Sequence, residues 1–131
     1  MPSGKCHCGA ISYVASGDPV YHALCHCDDC RRSAGAPMVG WMAYKAEQVE
    51  ILGDPVTYES SENGRRQFCG TCGTGLFYTN AVVLPGIIDL QSATLDDAGD
   101  HAPAIHVQAA EKLGWIDRIK DLPAFERYPG P

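Results

Sequence analysis

Three short stretches hold all seven cysteines of this 131-residue chain: Cys6-His7-Cys8, Cys25-His26-Cys27-Asp28-Asp29-Cys30 and Cys69-Gly70-Thr71-Cys72. Thiols one or two residues apart can converge as thiolates on one ion, so this pattern points to metal binding, with zinc the first candidate. The count divides as four plus three. Two pairs can close a tetrahedral structural site, whereas three ligands leave one position open for water or substrate. Cys69-Gly70-Thr71-Cys72-Gly73 has the form of a zinc knuckle, whose glycines can take left-handed backbone angles and turn amide N–H groups toward the sulfurs. A knuckle supplies half of a tetrahedral site, and the other half comes from Cys6 and Cys8 or from the central trio. Gly9 after Cys8 parallels Gly73 after Cys72, which favours joining those two pairs.

Cys25, Cys27 and Cys30 then form a site of their own. Three thiolates make zinc a softer Lewis acid than three histidines do, so the open position suits a sulfur ligand better than a hard hydroxide. That points to thiol chemistry, in which the metal lowers a substrate thiol's pKa and positions it. The alternative is a closed structural site completed by His7, His22, His26 or a distant ligand. His7 and His26 sit between cysteines, and their side chains are expected to point away from those neighbours, as surface or supporting groups. His106, in an apolar strand, reads as a satisfied core histidine. Asp28 and Asp29 could orient groups near the trio. Arg31 and Arg32 could attract a carboxylate on a substrate or simply be solvated, and Arg65 and Arg66 read the same way. Trp41, Tyr44 and Trp115 are expected in the core, with a pocket wall as the alternative. The trio, with fewer ligands, is expected to hold metal less firmly and to be the place where a disulfide pair would form.

The elements that must position these groups are short. Fourteen glycines and nine prolines cut the chain into brief segments, as a β-rich fold requires. Strands are expected at Ala10 to Val14, Val20 to Leu24, Pro37 to Tyr44, Ile87 to Leu90 and Ile105 to Gln108. Two more, Val49 to Leu52 and Val56 to Glu59, read as a hairpin across Gly53-Asp54-Pro55. Arg65 to Phe68 leads into the third cysteine cluster and Leu76 to Thr79 leads out of it. A helical turn is expected from Asp28 to Ala34, closed by Gly35. Asp96 to Pro103 reads as loop, and Trp115 to Phe125 as holding a short helix that ends before Pro123. Nothing carries a long amphipathic helical pattern.

Composition narrows the function classes. The length predicts a single domain over 1–131, small enough for metal cross-links to matter. A formal net charge of −6 argues against nucleic acid as the main partner, because that binding relies on basic surface displacing counterions. No apolar run reaches membrane-spanning length. The first cysteine pair follows Lys5 directly, leaving no room for a secretory signal, so the chain reads as cytoplasmic, where thiols stay reduced. An odd cysteine count also argues against a complete disulfide framework. An iron–sulfur cluster on four cysteines would leave three unexplained.

The motifs Gly4-x-Cys6-x-Cys8-Gly9, Cys25-His26-Cys27-x-x-Cys30-Arg31-Arg32-x-x-Gly35 and Phe68-Cys69-x-x-Cys72-Gly73-Thr74 resemble those of the glutathione-dependent formaldehyde-activating enzyme family, the GFA/CENP-V domain. The resemblance continues through Thr94-Leu95-Asp96-Asp97, Pro103, His106, Trp115 and Leu122-Pro123-x-Phe125. It implies an Mss4-like fold, mainly β, of short antiparallel strands with few short helices. It implies two zinc ions, a structural one on Cys6, Cys8, Cys69 and Cys72 and a catalytic one on Cys25, Cys27 and Cys30. It implies a carbon–sulfur lyase that joins formaldehyde to a small thiol, glutathione, as S-(hydroxymethyl)glutathione. The rival reading is a non-catalytic zinc-stabilised binding module with a protein partner, as in the CENP-V branch.

Overall fold

The computed structural model describes residues 1–130. In chain order the strands are β1 (Ser3–Lys5), β2 (Ser12–Ala15), β3 (Tyr21–Cys25), β4 (Val39–Lys45), β5 (Val49–Leu52), β6 (Val56–Glu59), β7 (Gly64–Phe68), β8 (Gly75–Asn80), β9 (Leu84–Gln91) and β10 (Ile105–Val107). They form a three-stranded sheet, β1-β2-β5, and a seven-stranded sheet, β10-β3-β4-β9-β8-β7-β6. One short α-helix, α1 (Asp28–Ala34), follows β3 and ends at Gly35, whose φ of 64° makes the expected left-handed cap. The fold is mainly β, as expected. The turn at Ala98–Asp100 interrupts the stretch expected to be loop, and the expected tail helix is a 3-10 segment, Ile116–Asp121. No helix among the described residues is long and apolar enough to cross a membrane.

One expectation about pairing is overturned. Val49–Leu52 and Val56–Glu59 are strands but not a hairpin: β5 pairs with β2 in the small sheet and β6 with β7 in the large one. Gly53-Asp54-Pro55 is where the chain changes sheets. The sheets are antiparallel as expected, with one addition: β10 returns to lie parallel to β3, with His106 opposite Leu24 and Val107 opposite Cys25.

The central strands of the large sheet are covered on both sides, its edge strands β6 and β10 are exposed, and the pleat decides which residues face where. Met42, Tyr44, Phe77, Ile88 and Leu90 join Ile11, Tyr13 and Ala15 of the small sheet in the main core. The alternate residues of β4, Val39 and Trp41, face α1 and pack with Cys25 and Cys30. On that second face the register lines up Tyr21, Ala43, Asp89, Tyr78, Arg66 and Tyr58 in one row across six strands. The row is polar where the opposite face is apolar, and it floors the region under α1.

The small sheet is fastened through β1. Gly4 is buried opposite Tyr13 and bridges to Leu95, while the Tyr13 hydroxyl meets Thr94 Oγ1 at 2.7 Å. A Cβ at Gly4 would fall 2.5 Å from Tyr13 Cζ and 2.6 Å from the Thr94 carbonyl oxygen, so the strand has no room for one. Gly4→Ala is therefore expected to cost about 1–3 kcal/mol, the usual penalty for overpacking a core. A lower urea midpoint with an unchanged m-value is the check.

Candidate functional site

Two hairpin tips bring the first cysteine group together. The loop between β1 and β2 carries Cys6 and Cys8, and the loop between β7 and β8 carries Cys69 and Cys72. The two loops are built alike. Cys6 N–H donates to the Ile11 carbonyl and Cys69 N–H to the Thr74 carbonyl, each at 2.9 Å. Gly9 and Gly73 turn back to the carbonyls of Cys6 and Cys69 with φ of 80° and 82°, which needs glycine. Ile11 N–H then reaches Cys6 Sγ at 3.3 Å, and Thr71 N–H reaches Cys69 Sγ at 3.4 Å. His7 N–H crosses to Thr74 Oγ1 at 3.0 Å, tying one tip to the other.

The four sulfurs lie within 4.8 Å of one another, and Cys8 Sγ is 3.7 Å from both Cys6 Sγ and Cys69 Sγ. Tetrahedral bonds of about 2.3 Å to zinc place sulfurs about 3.8 Å apart, so the donor set fits such an ion. The hydrogen bond from Thr74 holds the Cys72 thiol down to about 5. Cys6, Cys8, Cys69 and Cys72 could thus hold a metal ion between two segments far apart in sequence.

The second group is local. Cys25 ends β3, Cys27 caps α1 in extended conformation, and Cys30 sits in the first helical turn. This strand-to-helix junction brings three sulfurs within 4.8 Å of one another. Cys30 N–H donates to Cys27 Sγ at 3.2 Å, and Arg66 Nη2 approaches Cys30 Sγ at 3.6 Å. Cys30 is held down to about 5, first by hydrogen bonding from Cys25 and further by Cys27 and Arg66, while Cys25 and Cys27 are pushed up. The trio could hold a metal ion. All seven cysteines are free, so the disulfide expected within the trio is not found.

The three thiols open into a cavity of about 200 Å³ whose wall includes Tyr21, Asp29, Trp41, Arg66, Asp89 and Gln108. Gln108 has φ 53°, a strained backbone that only the surrounding structure can hold. A second cavity of about 330 Å³ shares Trp41 and Arg66 with the first and adds Tyr58, Phe68 and Gln91. Arg66 stands at this junction, 8% exposed, 2.8 Å from Asp29 Oδ2 and with its guanidinium 5.0 Å from the Tyr78 ring centroid. Its side chain is the cation that the arginine pairs left undecided.

Other expectations resolve one by one. Asp28 takes up both Arg31 and Arg32, at 2.7 and 3.0 Å, so these arginines brace α1. His7 is exposed. His26 is fully buried, with Nε2 2.8 Å from His106 Nδ1. His106 is exposed rather than in the core, because β10 is an edge strand. Trp41 and Tyr44 are buried as expected, but Trp115 is 47% exposed on the tail. His22 is buried on the core side against Ser92 Oγ at 2.8 Å, too far round the sheet to complete the trio. Asp89 was not singled out by spacing. Its only sequence signal is a lone carboxylate in the apolar strand Ile87-Ile88-Asp89-Leu90.

Comparisons with known proteins agree with this architecture. A crystal structure of a Rhodobacter sphaeroides protein superposes with a TM-score of 0.65 over 80% of this chain and 99% of that one, at 18% identity, which bears on the fold alone. A Schizosaccharomyces pombe protein named as an uncharacterized lyase is 33% identical over 79 residues, 59% of this chain and 58% of its own length. A Halomonas elongata protein, provisionally named a glutathione-dependent formaldehyde-activating enzyme, is 26% identical over 96% of this chain and 87% of its own. The family model described as glutathione-dependent formaldehyde-activating enzyme matches residues 1–111, both cysteine groups included, and the chain belongs to that family.

Proposed function

We propose that the chain is a zinc-dependent carbon–sulfur lyase-type enzyme acting on a small thiol adduct, with S-(hydroxymethyl)glutathione, made from formaldehyde and glutathione, as the reaction its family suggests. Cys6, Cys8, Cys69 and Cys72 would hold a structural zinc ion, and Cys25, Cys27 and Cys30 a catalytic one. The observation that carries the reading is the contrast between the two groups. Four thiols close on each other at the hairpin tips, whereas three converge at the wall of a cavity that has room for a substrate.

A zinc ion held by three thiolates supplies a soft Lewis acid with one position left for a sulfur ligand. The chain's own residues do the rest. Cys27 and Cys30 are fixed by the first turn of α1, and Arg66 braces Cys30 through a hydrogen bond to its sulfur. Asp29 neutralises Arg66 on the outer side, leaving the guanidinium able to orient a substrate oxygen without attracting bulk anions. Trp41 and the adjoining cavity of about 330 Å³ receive the rest of the thiol molecule, where aromatic side chains and Gln91 meet it. The family's naming activity and the lyase name of one relative support the reaction type.

Metal content per chain, measured together with glutathione binding, tests this reading. Wild type is expected to carry two zinc ions. Cys27→Ala is expected to keep one and to lose thiol binding with the other. Two ions with no binding of any thiol would instead favour a non-catalytic module whose partner is a protein.

The two sites are also expected to differ in what they do for stability. Cys69→Ala cuts the tie between two hairpins and should lower the unfolding free energy by several kcal/mol, on the order expected for a structural zinc site. Cys27→Ala should cost far less, since α1 and β3 are joined by the chain itself. Thermal melts of both variants, with and without a chelator, distinguish these outcomes.

A further inference from the structure

Resting on the reading above, we propose that Asp89, oriented by Tyr21, is the proton acceptor and donor of the carbon–sulfur step. Asp89 is 4% exposed and lies in the same cavity wall as the three thiols. It stands in the cross-strand row Tyr21, Ala43, Asp89, so that the Tyr21 side chain reaches over the small Ala43. The Tyr21 hydroxyl donates to Asp89, 2.9 Å from Oδ1 and 3.2 Å from Oδ2. That hydroxyl has one proton, and a carboxylate offers about four acceptor positions. Among the described residues no other group hydrogen-bonds the Asp89 side chain, so most of its capacity is left for whatever occupies the cavity. A purely structural carboxylate buried between strands would be expected to find further N–H partners.

The step balances without any other reagent. As an adduct forms, the Asp89 carboxylate takes the proton of the entering thiol. The sulfur's electron pair makes the new bond to the carbonyl carbon of the aldehyde, the carbonyl π pair moves onto its oxygen, and Asp89 returns the proton there. In the reverse direction Asp89 removes the hydroxyl proton, the carbon–oxygen double bond re-forms, the carbon–sulfur pair leaves on the sulfur, and Asp89 returns the proton to that thiolate. Both directions begin with Asp89 ionised.

Burial pushes Asp89 up to about 6, with the Tyr21 hydrogen bond opposing, which suits a group that must change state near neutrality. The other titratable and charged groups of this cavity are Cys25 and Cys27 beside Tyr21, Cys30 and Asp29 on α1, Arg66 on β7 and Tyr78 on β8. The expected kcat/KM for adduct formation therefore falls as pH drops through about 6.

The test uses zinc-loaded full-length protein with formaldehyde and glutathione, then with smaller thiols. Asp89→Asn should lower kcat about 100-fold or more, the usual share of a general acid–base group. It should change KM by less than about threefold, keep the zinc content of wild type and lose the acidic limb of the pH profile. Tyr21→Phe, which leaves the carboxylate in place, should move that limb to higher pH. Activity of Asp89→Asn within about threefold of wild type, or a limb unmoved by Tyr21→Phe, would overturn the role of Asp89 while leaving the reaction type intact. A wild type inert toward every thiol and aldehyde would overturn the reaction type and this role with it.

Discussion

The pleat of the seven-stranded sheet is the constraint on which everything else rests. Adjacent residues of β4 serve opposite layers: Met42 and Tyr44 belong to the core under the small sheet, and Trp41 and Ala43 to the floor beneath α1. The same alternation in β9 sends Ile88 and Leu90 one way and Asp89 the other. A slip of one residue in β9 would put Asp89 into the apolar core and a leucine or isoleucine into the cavity, and a slip in β4 would send Met42 and Tyr44 to the cavity side. The site is therefore protected by the hydrophobic cost of misregistering the core, and the hydrogen bonds of Tyr21 to Asp89 and of Arg66 to Asp29 then fix its polar groups in detail.

The two cysteine groups stand in different relations to that sheet. The four-cysteine group joins the small sheet to the large one, through loops separated by about sixty residues (Cys8 and Cys69 are 61 apart). It closes a long loop, the geometry in which a cross-link restricts the unfolded chain most. The trio lies within a six-residue stretch, and β3, α1 and Arg66 already hold it. A metal there changes the chemistry of the cavity more than the connectivity of the fold. That division of labour follows from topology alone, whichever ions are bound.

Local chemistry was legible in the sequence, and pairing was not. The partition of the cysteines, the knuckle glycines, and α1 with its Gly35 cap all depend on spacing within a few residues, and they stand where spacing put them. The strand segments also stand, because alternation and punctuation are local. The turn at Gly53-Asp54-Pro55 reports only that the chain reverses. Whether the next strand pairs with the last depends on which edge is free, and here β6 finds β7 while β5 finds β2. The burial of His106 and Trp115 was misread for a related reason: an apolar setting in sequence does not say whether another layer covers the residue. Arg66 and Asp89 acquire meaning only through the cross-strand row, which no single strand encodes.

Charge in the cavity completes the picture. Three thiols and two carboxylates, Asp29 and Asp89, converge there with one guanidinium, that of Arg66. Were all the acids ionised, the imbalance would be strongly unfavourable in a partly buried space, so protons or a cation must make it up. With no cation, Cys25 is pushed up first by its hydrogen bond to Cys30 and Cys27 first by burial, while Cys30 is held down first by hydrogen bonding from Cys25 and further by Arg66. A divalent cation among three thiolates leaves a net charge of about −1 by the formal charges of the ligands, the same sign as a lone Cys30 thiolate. Burial is the main force holding the Asp89 carboxyl above its ordinary range, and the charge on Cys30 adds to it. The donor set that favours a soft cation and the carboxyl poised to exchange a proton are thus two consequences of one arrangement: a polar row placed by register on the floor of a sheet and roofed by one short helix.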